Sequence, residues 1–372
     1  MSTTGRPDAA LSPGDVAGQL REAAFVHLVA DATGDGVAAT ALLATALDGE
    51  TPYQVSVAPL PERADRATDA DLTVGLGRTA GDADISISGD GKPASRQVHD
   101  IAAEFGSVDG TLAIAGALAG GADRDESLLS LAERYGFERR PGVAVPTADL
   151  ADGLAHSTLV HAGFSGDSET ARDALDSLGS TAEDIDHRTV ASVVATTVVE
   201  ADPSTRGSRA VERFLRPLVG GPVGTLGGFG DVLDATARVD PGLATAFGLG
   251  YVDPGDALEV WREHAQRAHE GLREAKTGRY DGLFVLRCDS SAPLGTVARL
   301  GCEYRSPEPV VLAVADGEAA VRTERGTQRK AGSVVRDVAE TAGGTAGGTT
   351  HRARARFAAE ATEYLLAFRE AL

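Results

Sequence analysis

Residues 25–47 limit the possible folds more than any other part of the sequence. A mostly apolar run at 25–30 is typical of a buried strand, a Gly-Asp-Gly turn follows at 34–36, and an alanine-rich helical pattern covers 37–47. Strand and helix patterns then alternate as far as residue 119, which predicts a mostly parallel sheet covered by helices. The later predicted strands are 53–58, 71–76 and 84–88, and the predicted helices are 94–105 and 111–119.

A second α/β unit is predicted at the C-terminal end. The pattern is largely helical over 126–200, the stretch 202–230 is dense in glycine and proline, and a long helix covers 254–276. We therefore predict an α/β protein in which a mostly parallel, helix-covered N-terminal sheet is joined by a helical, glycine-rich connection to a smaller C-terminal α/β domain. The expected ranges are 1–200 for the N-terminal domain with a flexible tail at 1–15, 201–277 for the connection, and 278–372 for the C-terminal domain. The C-terminal elements are strands at 282–287, 309–315 and 319–323, helices at 295–303, 332–341 and 359–372, and a glycine loop at 343–350.

Composition limits the class of protein and its compartment. A chain of 372 residues exceeds the size at which one core usually stays single, which supports two domains. The formal net charge is −20 and only Lys92, Lys276 and Lys330 are lysines, so we expect a salt-adapted surface whose charge says little about partners. No apolar run reaches the length of about 20 residues needed for a membrane span, and no secretory leader is visible, so the protein is expected to be cytoplasmic. Cys288 and Cys302 fit a reducing compartment and are expected to be buried thiols.

The loop after the first strand carries the first candidate site residues. Its glycine turn lies at a helix N-terminus, where free N–H groups can hold an anion. The sequence lacks both the Lys-Ser/Thr ending of a P-loop and the spacing of a dinucleotide fingerprint. Asp31 and Asp35 flank the turn and could instead bind a divalent metal ion. Capping of the helix by Asp35 is the structural alternative, and the residues alone leave both open.

The histidines predict no ligand set. His156 and His161, like His264 and His269, are five residues apart, a spacing that places the two rings well apart around a helix. We expect surface or core histidines at these positions.

A basic segment near the C-terminus contrasts with the acidic chain. Residues 322–356 contain eight Arg or Lys against three Asp or Glu, and a glycine tract lets the backbone approach a phosphate closely. The alternative is a flexible surface loop beside a solvated basic strand. The candidate nucleic-acid-binding residues are Gly347, Gly348, His351, Arg352, Arg354 and Arg356.

In their order along the chain, these pieces resemble the DHH phosphoesterase superfamily, and within it the RecJ-like exonucleases of archaea and the RecJ-like subunit of the eukaryotic replicative helicase. Residues 27–43 are similar to the first motif, with Asp35 on its second aspartate and Thr33 on its first unless Asp31 serves. Gly75 and Gly120 stand where the second and fourth motifs carry aspartate, and Gly-Asp-Gly at 89–91 replaces the Asp-His-His of the third.

The C-terminal unit is similar to the DHH-associated nucleic-acid-binding domain. The likeness lies in residues 294–300, the strand 310–314 and the phrase Gly-Gly-Thr-Thr-His at 347–351. Two inserted threonines and Arg356 in place of a glycine depart from the family pattern, but the positive charge is kept.

Two-metal phosphodiester hydrolysis needs several carboxylates or imidazoles, and the aligned positions offer too few. The resemblance therefore implies a catalytically degenerate RecJ-like protein with no cofactor, bound to single-stranded DNA or RNA in replication or repair, with a replisome partner of GINS type. The alternative is an active, Mn- or Mg-dependent single-strand exonuclease or phosphodiesterase. A third possibility is an interaction module whose basic segment docks onto an acidic protein. The exonuclease would draw its metal ligands from Asp31, Asp35, Asp71, Asp82, Asp84 and Asp90.

Overall fold

The computed structural model describes residues 12–58, 69–77, 83–177, 187–200 and 205–372. Residues 12–15 of the predicted flexible tail instead begin a helix, because Ser12 and Asp15 form a capping box that starts helix α1 at Pro13. The other predicted tail residues, 1–11, lie outside the described part. The first elements are α1 (Pro13–Glu22), β1 (Val26–Asp31), α2 (Gly34–Leu47), β2 (Tyr53–Ala58), β3 (Leu72–Leu76), β4 (Ile85–Ile87), α3 (Ala94–Ala102) and α4 (Gly110–Ala119).

The first sheet is parallel, as predicted. Its strand order is β2-β1-β3-β4, with Leu28 of the central strand β1 level with Val55 on one side and Val74 on the other. The helix α2 is buried along almost its whole length, because its alanines allow close packing against α3 and α4. The carboxyl ends of β1, β3 and β4 therefore meet at one edge, which we call the sheet edge.

Helices fill the middle of the chain. They build a core around Phe164 and Phe214, and the short strands β5 and β6 pair antiparallel beside it. The elements are α5 (Glu126–Arg134), β5 (Glu138–Arg139), α6 (Leu150–His156), α7 (Ser168–Asp176), α8 (His187–Glu200), α9 (Thr205–Phe214), β6 (Leu218–Val219), α10 (Leu226–Val239), α11 (Pro241–Gly248) and α12 (Pro254–Glu274).

Glycines in α10 serve helix packing rather than a flexible connection. A Cβ on Gly230 would lie 2.5 Å from the carbonyl oxygen of Ala115, so the absence of a side chain lets α10 lie directly against α4. The helix also packs against α2 and α12. Part of the expected connection 201–277 is thus helical and packed on the helices of the first sheet, while the three-part division of the chain stays a prediction.

The C-terminal domain contains a six-stranded sheet with the order β11-β12-β10-β9-β8-β7. Only β8 and β9 run parallel within it. Three of its strands were not among the predicted elements. Strand β7 is mostly polar, β11 lies in the predicted glycine loop, and β12, which follows that loop, pairs with β11 and β10. The elements are β7 (Lys276–Tyr280), β8 (Leu283–Arg287), α13 (Leu294–Leu300), a π-helical turn (Gly301–Arg305), β9 (Val310–Ala315), β10 (Glu318–Thr323), α14 (Ala331–Thr341), β11 (Thr345–Gly348), β12 (Arg352–Arg356) and α15 (Ala361–Ala371).

The predicted α/β architecture of two sheets is confirmed. Among the described helices, none combines the length and apolar character that a bilayer crossing requires.

Candidate functional site

The sheet edge faces the C-terminal sheet across a cleft. On the N-terminal side the cleft is lined by Asp31 and Thr33 after β1 and by Gly89 and Asp90 after β4. On the C-terminal side it is lined by β10, β11 and β12. The cleft widens at one end into a cavity of about 380 Å³, which we call the outer cavity.

Asp35 is buried and acts as a cap for a helix distant in sequence. Its Oδ2 accepts from the backbone N–H of Ala94 at 2.9 Å, and its Oδ1 accepts from the N–H and hydroxyl of Ser95 at 3.0 and 2.7 Å. These groups belong to the first turn of α3, where N–H groups lack partners within the helix. Helix α2, which contains Asp35, is capped by Thr33 instead. The carboxylate therefore satisfies donors at the start of α3, and it also lines the outer cavity.

Asp31 is also buried, and its nearest charged partner is a guanidinium. Arg354 Nη2 of β12 lies 3.5 Å from Asp31 Oδ1 and donates to the carbonyl oxygen of Ala32 at 3.0 Å. Burial lowers the pKa of Arg354 to about 10, and the charge of Asp31 acts in the opposite direction. A cation next to a carboxylate opposes the binding of a divalent metal there.

Three arginines of the C-terminal domain reach the three loops of the first domain. Besides Arg354 at the loop after β1, Arg352 donates to the carbonyl oxygen of Gly77 after β3 at 3.4 Å. Arg325 donates to the carbonyl oxygen of Gly120, at the end of α4, at 3.3 Å. Guanidinium groups therefore occupy the sheet edge, where the family resemblance implied metal-binding carboxylates.

The narrow centre of the cleft holds five guanidinium groups against the single carboxylate of Asp31. Arg238 of α10 makes a two-nitrogen ion pair with Asp234 at 2.9 and 3.0 Å, and that carboxylate also accepts from the N–H of Gly34. We call these five residues the guanidinium cluster: Arg238, Arg299, Arg322, Arg352 and Arg354.

Arg322 stands out within the cluster. Its guanidinium donates no hydrogen bond and has no ion pair within the described residues, and Arg352 lies directly opposite it in the β10–β12 pair. Burial and then the charge of Arg352 lower the pKa of Arg322 to about 10, and the charge of Glu303 acts in the opposite direction. Like charges directly opposite each other destabilise a sheet, so an anion between these two groups would be favourable.

The structure brings together four of the six predicted nucleic-acid-binding residues. Gly347, Gly348, Arg352 and Arg354 all line the narrow centre of the cleft. Gly348 has φ of +128°, and a Cβ there would lie 2.3 Å from the carbonyl oxygen of Arg352. This position needs glycine because a side chain has no space.

The other two predicted residues lie apart from the centre. His351 lines the outer cavity and is 3.0 Å from the Thr323 hydroxyl. Arg356 is 60% exposed and pairs with Glu318 at 2.8 Å.

The aspartates of the exonuclease alternative do not converge. Asp71 and Asp84 lie at the amino ends of β3 and β4, the opposite edge of the sheet, where they accept backbone hydrogen bonds. Asp90 accepts from the Thr350 hydroxyl at 2.9 Å, and Asp82 lies outside the described residues. Within the described part of the chain, no group of three or more His, Cys, Asp or Glu could hold a metal ion. This donor set does not fit the two metal ions that the chemistry of the family would need.

Sequence reasoning missed Arg238 and Arg299. They come from α10 and α13, far from the basic segment, and single arginines in helices carry no signal of a shared site. Arg322 was counted within the basic segment but was not named as a site residue.

Comparison with known proteins identifies the family. Residues 275–370 match the family model described as "Uncharacterized protein rrnAC1427, C-terminal domain". The chain is also 52% identical over 379 residues to protein rrnAC1427 of Haloarcula marismortui, with 100% of both chains covered. The chain therefore belongs to the rrnAC1427 family.

Solved structures show what kind of fold this family has. CDC45 from Entamoeba histolytica matches with a TM-score of 0.61 and 10% identity over 97% of each chain. A manganese-bound exonuclease RecJ matches with a TM-score of 0.50 and 16% identity, covering 98% of this chain and 95% of that one. The chain spans 53% of the Mg²⁺-bound RecJ of Thermus thermophilus, with a TM-score of 0.49. At these identities the likeness shows the fold alone, and it confirms the RecJ-like DHH fold.

Proposed function

We propose that this protein binds single-stranded nucleic acid in the cleft and has lost the metal-dependent chemistry of its fold. DNA replication or repair is the process in which we expect it to act. The observation that carries this proposal is the guanidinium cluster at the sheet edge, and above all Arg322, which is half-buried directly opposite Arg352.

Charge supports a polyanion as the ligand. The chain carries a formal charge of −20, so positive charge collected in one cleft contrasts with the rest of the molecule. Binding of a phosphate backbone neutralises such arginines and releases counterions, which makes the affinity depend steeply on salt. Gly347 and Gly348 line the cleft without side chains, which would let a phosphate backbone approach closely.

Charge also argues against hydrolysis. Two metal ions about 3.5–4 Å apart need several carboxylates around them. Here Asp35 accepts hydrogen bonds from the start of α3, and Asp31 lies next to the guanidinium of Arg354. A cation at that position would repel the ions that the reaction requires.

The exonuclease remains the second candidate, because Asp31 and Asp35 occupy the loop that the RecJ-like fold resemblance marks as catalytic. Its cofactor would be Mn or Mg. The CDC45-like fold keeps a replisome partner of GINS type as a prediction, with no contact residues assigned.

One experiment separates the two candidates. End-labelled single-stranded DNA and RNA are incubated with the purified protein in molar potassium chloride with manganese. Binding and cleavage are measured in that buffer, and binding is measured again at several potassium chloride concentrations. We expect binding without cleavage. Arg352→Ala or Arg354→Ala should weaken the binding roughly tenfold, and each should reduce the slope of log affinity against log salt concentration by about one. Arg140→Ala removes an exposed guanidinium outside the cleft and is the matched control. Manganese-dependent cleavage that Asp31→Asn abolishes would establish the exonuclease instead.

A further inference from the structure

The C-terminal sheet has an open edge on the side away from the cleft. Strand β11 lines the cleft at one end of the strand order, and β7 is the strand at the other end. With strands about 4.8 Å apart, the five steps between them amount to roughly 24 Å. Within the described residues, β8 is the only strand that pairs with β7. Every second residue of β7 therefore directs its backbone N–H and C=O away from β8, where another strand can pair with them.

This edge is exposed and basic. Lys276, Thr277 and Arg279 of β7 are exposed, and Gly278 and Tyr280 are half-buried. A lysine on an edge strand often repels other strands and so prevents aggregation. In a chain with a formal charge of −20, however, a basic edge attracts acidic segments.

Three cations form one surface at this edge, which we call the β7 patch: Lys276, Arg287 and Arg369. Lys276 lies directly opposite Arg287 in the β7–β8 pair, so both side chains are on the same face of the sheet. Tyr280 is on that face as well, because side chains alternate along a strand, and the guanidinium carbon of Arg369 lies 3.8 Å from the centroid of its ring. All three cations are exposed, and their side chains form no hydrogen bond or ion pair within the described part of the chain.

The acidic residues close to β7 do not pair with this patch. Glu308 accepts from Arg279 at 2.6 Å and from the backbone N–H of Gly282 at 3.1 Å, so its carboxylate is already used. Glu274 ends α12 before β7, and Asp281 lies in the turn after it. Because like charges directly opposite each other destabilise a pair of strands, a further carboxylate beside the β7 patch is favourable.

From these observations we propose that an extended acidic segment of another protein binds along β7 as a seventh strand of the C-terminal sheet. Its backbone pairs with the outward N–H and C=O groups of β7. Its carboxylates recur at every second position, because only then do they all lie on the face of the β7 patch. The cleft is at the other end of the sheet, so this inference does not depend on nucleic-acid binding.

Synthetic peptides are the probes. The first alternates glutamate with valine or threonine, and the second has lysine at every glutamate position. The third keeps the glutamates but has proline between them, so that it lacks N–H groups that a pairing strand donates. Fluorescence anisotropy measures the binding of each peptide to the whole chain at several potassium chloride concentrations, and hydrogen exchange of residues 276–280 locates the bound peptide.

Two matched variants each reverse two charges. Lys276→Glu with Arg287→Glu changes the β7 patch, and Arg139→Glu with Arg140→Glu changes two exposed arginines at and beside β5 as the control. Unfolding temperatures of both variants confirm that they fold.

We expect the acidic peptide to bind saturably and to slow amide exchange in β7, and the other two peptides to bind about tenfold more weakly or worse. Charge reversal of the β7 patch should weaken the binding of the acidic peptide about tenfold or more and make the lysine peptide the preferred ligand. The control variant should rank the peptides as wild type does. Binding of single-stranded DNA should be the same in wild type and the β7 variant.

The inference is overturned if wild type binds the acidic and lysine peptides equally or binds neither, or if charge reversal leaves their order unchanged. Loss of DNA binding in the β7 variant would make this edge part of the nucleic-acid surface instead. A wild-type dimer in light scattering that the same variant converts to a monomer would make a second copy of this chain the occupant.

Discussion

The hydroxyl of Ser95 donates a 2.7 Å hydrogen bond to the carboxylate of Asp35, and both groups are buried. The two residues lie 60 positions apart and join the start of α2 to the start of α3. Asp35 therefore has a structural task that is independent of any chemistry at the sheet edge.

Asp35→Ala should lower the free energy of unfolding by roughly 2–3 kcal/mol, because it leaves the first N–H groups of α3 without partners in a buried place. Asp35→Asn keeps one acceptor oxygen and should cost less. Chemical denaturation in molar salt measures both, with Asp48→Ala, an exposed position at the end of α2, as the control. Equal midpoints for Asp35→Ala and Asp48→Ala would contradict the capping role.

Asp31→Asn should strengthen the binding of single-stranded nucleic acid, because it removes the one carboxylate that competes with phosphate for Arg354. We expect a gain of roughly tenfold, which corresponds to about 1.4 kcal/mol. Fluorescence anisotropy at several salt concentrations measures it, and Glu138→Gln removes an equal charge from an exposed pair as the control. A loss of affinity would show that Asp31 supports the ligand rather than competing with it.

Manganese or magnesium should leave thermal stability unchanged. A ligand that binds only the folded state raises the stability by about 2.7 kcal/mol at a hundred times its Kd. Scanning calorimetry with millimolar manganese, magnesium or a chelator, in constant potassium chloride, tests this. An increase of several degrees with manganese alone, removed by Asp31→Asn, would mean that the sheet edge does hold a metal ion.

Acid should destabilise the protein before its carboxylates titrate, because of a buried histidine pair. The Nδ1 atoms of His161 and His269 lie 3.0 Å apart, which needs at least one neutral ring. Burial, with Arg273 next, lowers the pKa of His161 to about 4, and burial followed by the charge of His161 holds the pKa of His269 well below its usual value.

Since an unfolded histidine binds its proton near pH 6.5, the unfolded state takes up more protons than the folded state below that pH. The stability from the pair is therefore complete above about pH 6.5 and is lost as the pH falls toward 4. Denaturation at pH 7, 6 and 5 should show a slope of up to about 1.4 kcal/mol per pH unit for each histidine. In His161→Asn the slope should be smaller; an unchanged slope would remove this pair as the cause.

The first sheet could be predicted because its elements follow local rules. The apolar run of β1, the glycine turn and the alanines of α2 specify a strand, a turn and a helix from neighbours in sequence. The partner of Asp35 could not be predicted, since the capping alternative concerned its own helix α2 and the helix that it caps starts 59 positions later. The stacked rings of His161 and His269 come from different segments, and the i to i+5 spacing within each segment gave no sign of it.

The basic residues at 352–356 were predicted to belong to the site, but the sequence did not show how far the fold would bury their side chains. Charge counts along a sequence do not show which guanidinium groups a fold buries. Arg238 and Arg299 complete the cluster from α10 and α13, two helices outside the basic segment. The strand β11 was hidden for a related reason, because Thr345–Gly348 has almost no side chain to mark a strand.

The alternation of arginine and alanine along β12 has a consequence for folding accuracy. Ala353 and Ala355 are buried against α14, while Arg352, Arg354 and Arg356 point the other way. A slip of β12 by one residue against β10 would place three positive charges in the core and two alanines in water. Buried charges without partners are so unfavourable that misaligned chains would be rejected during sheet assembly. The charges that line the cleft thus also disfavour register shifts in the pairing of their own strand.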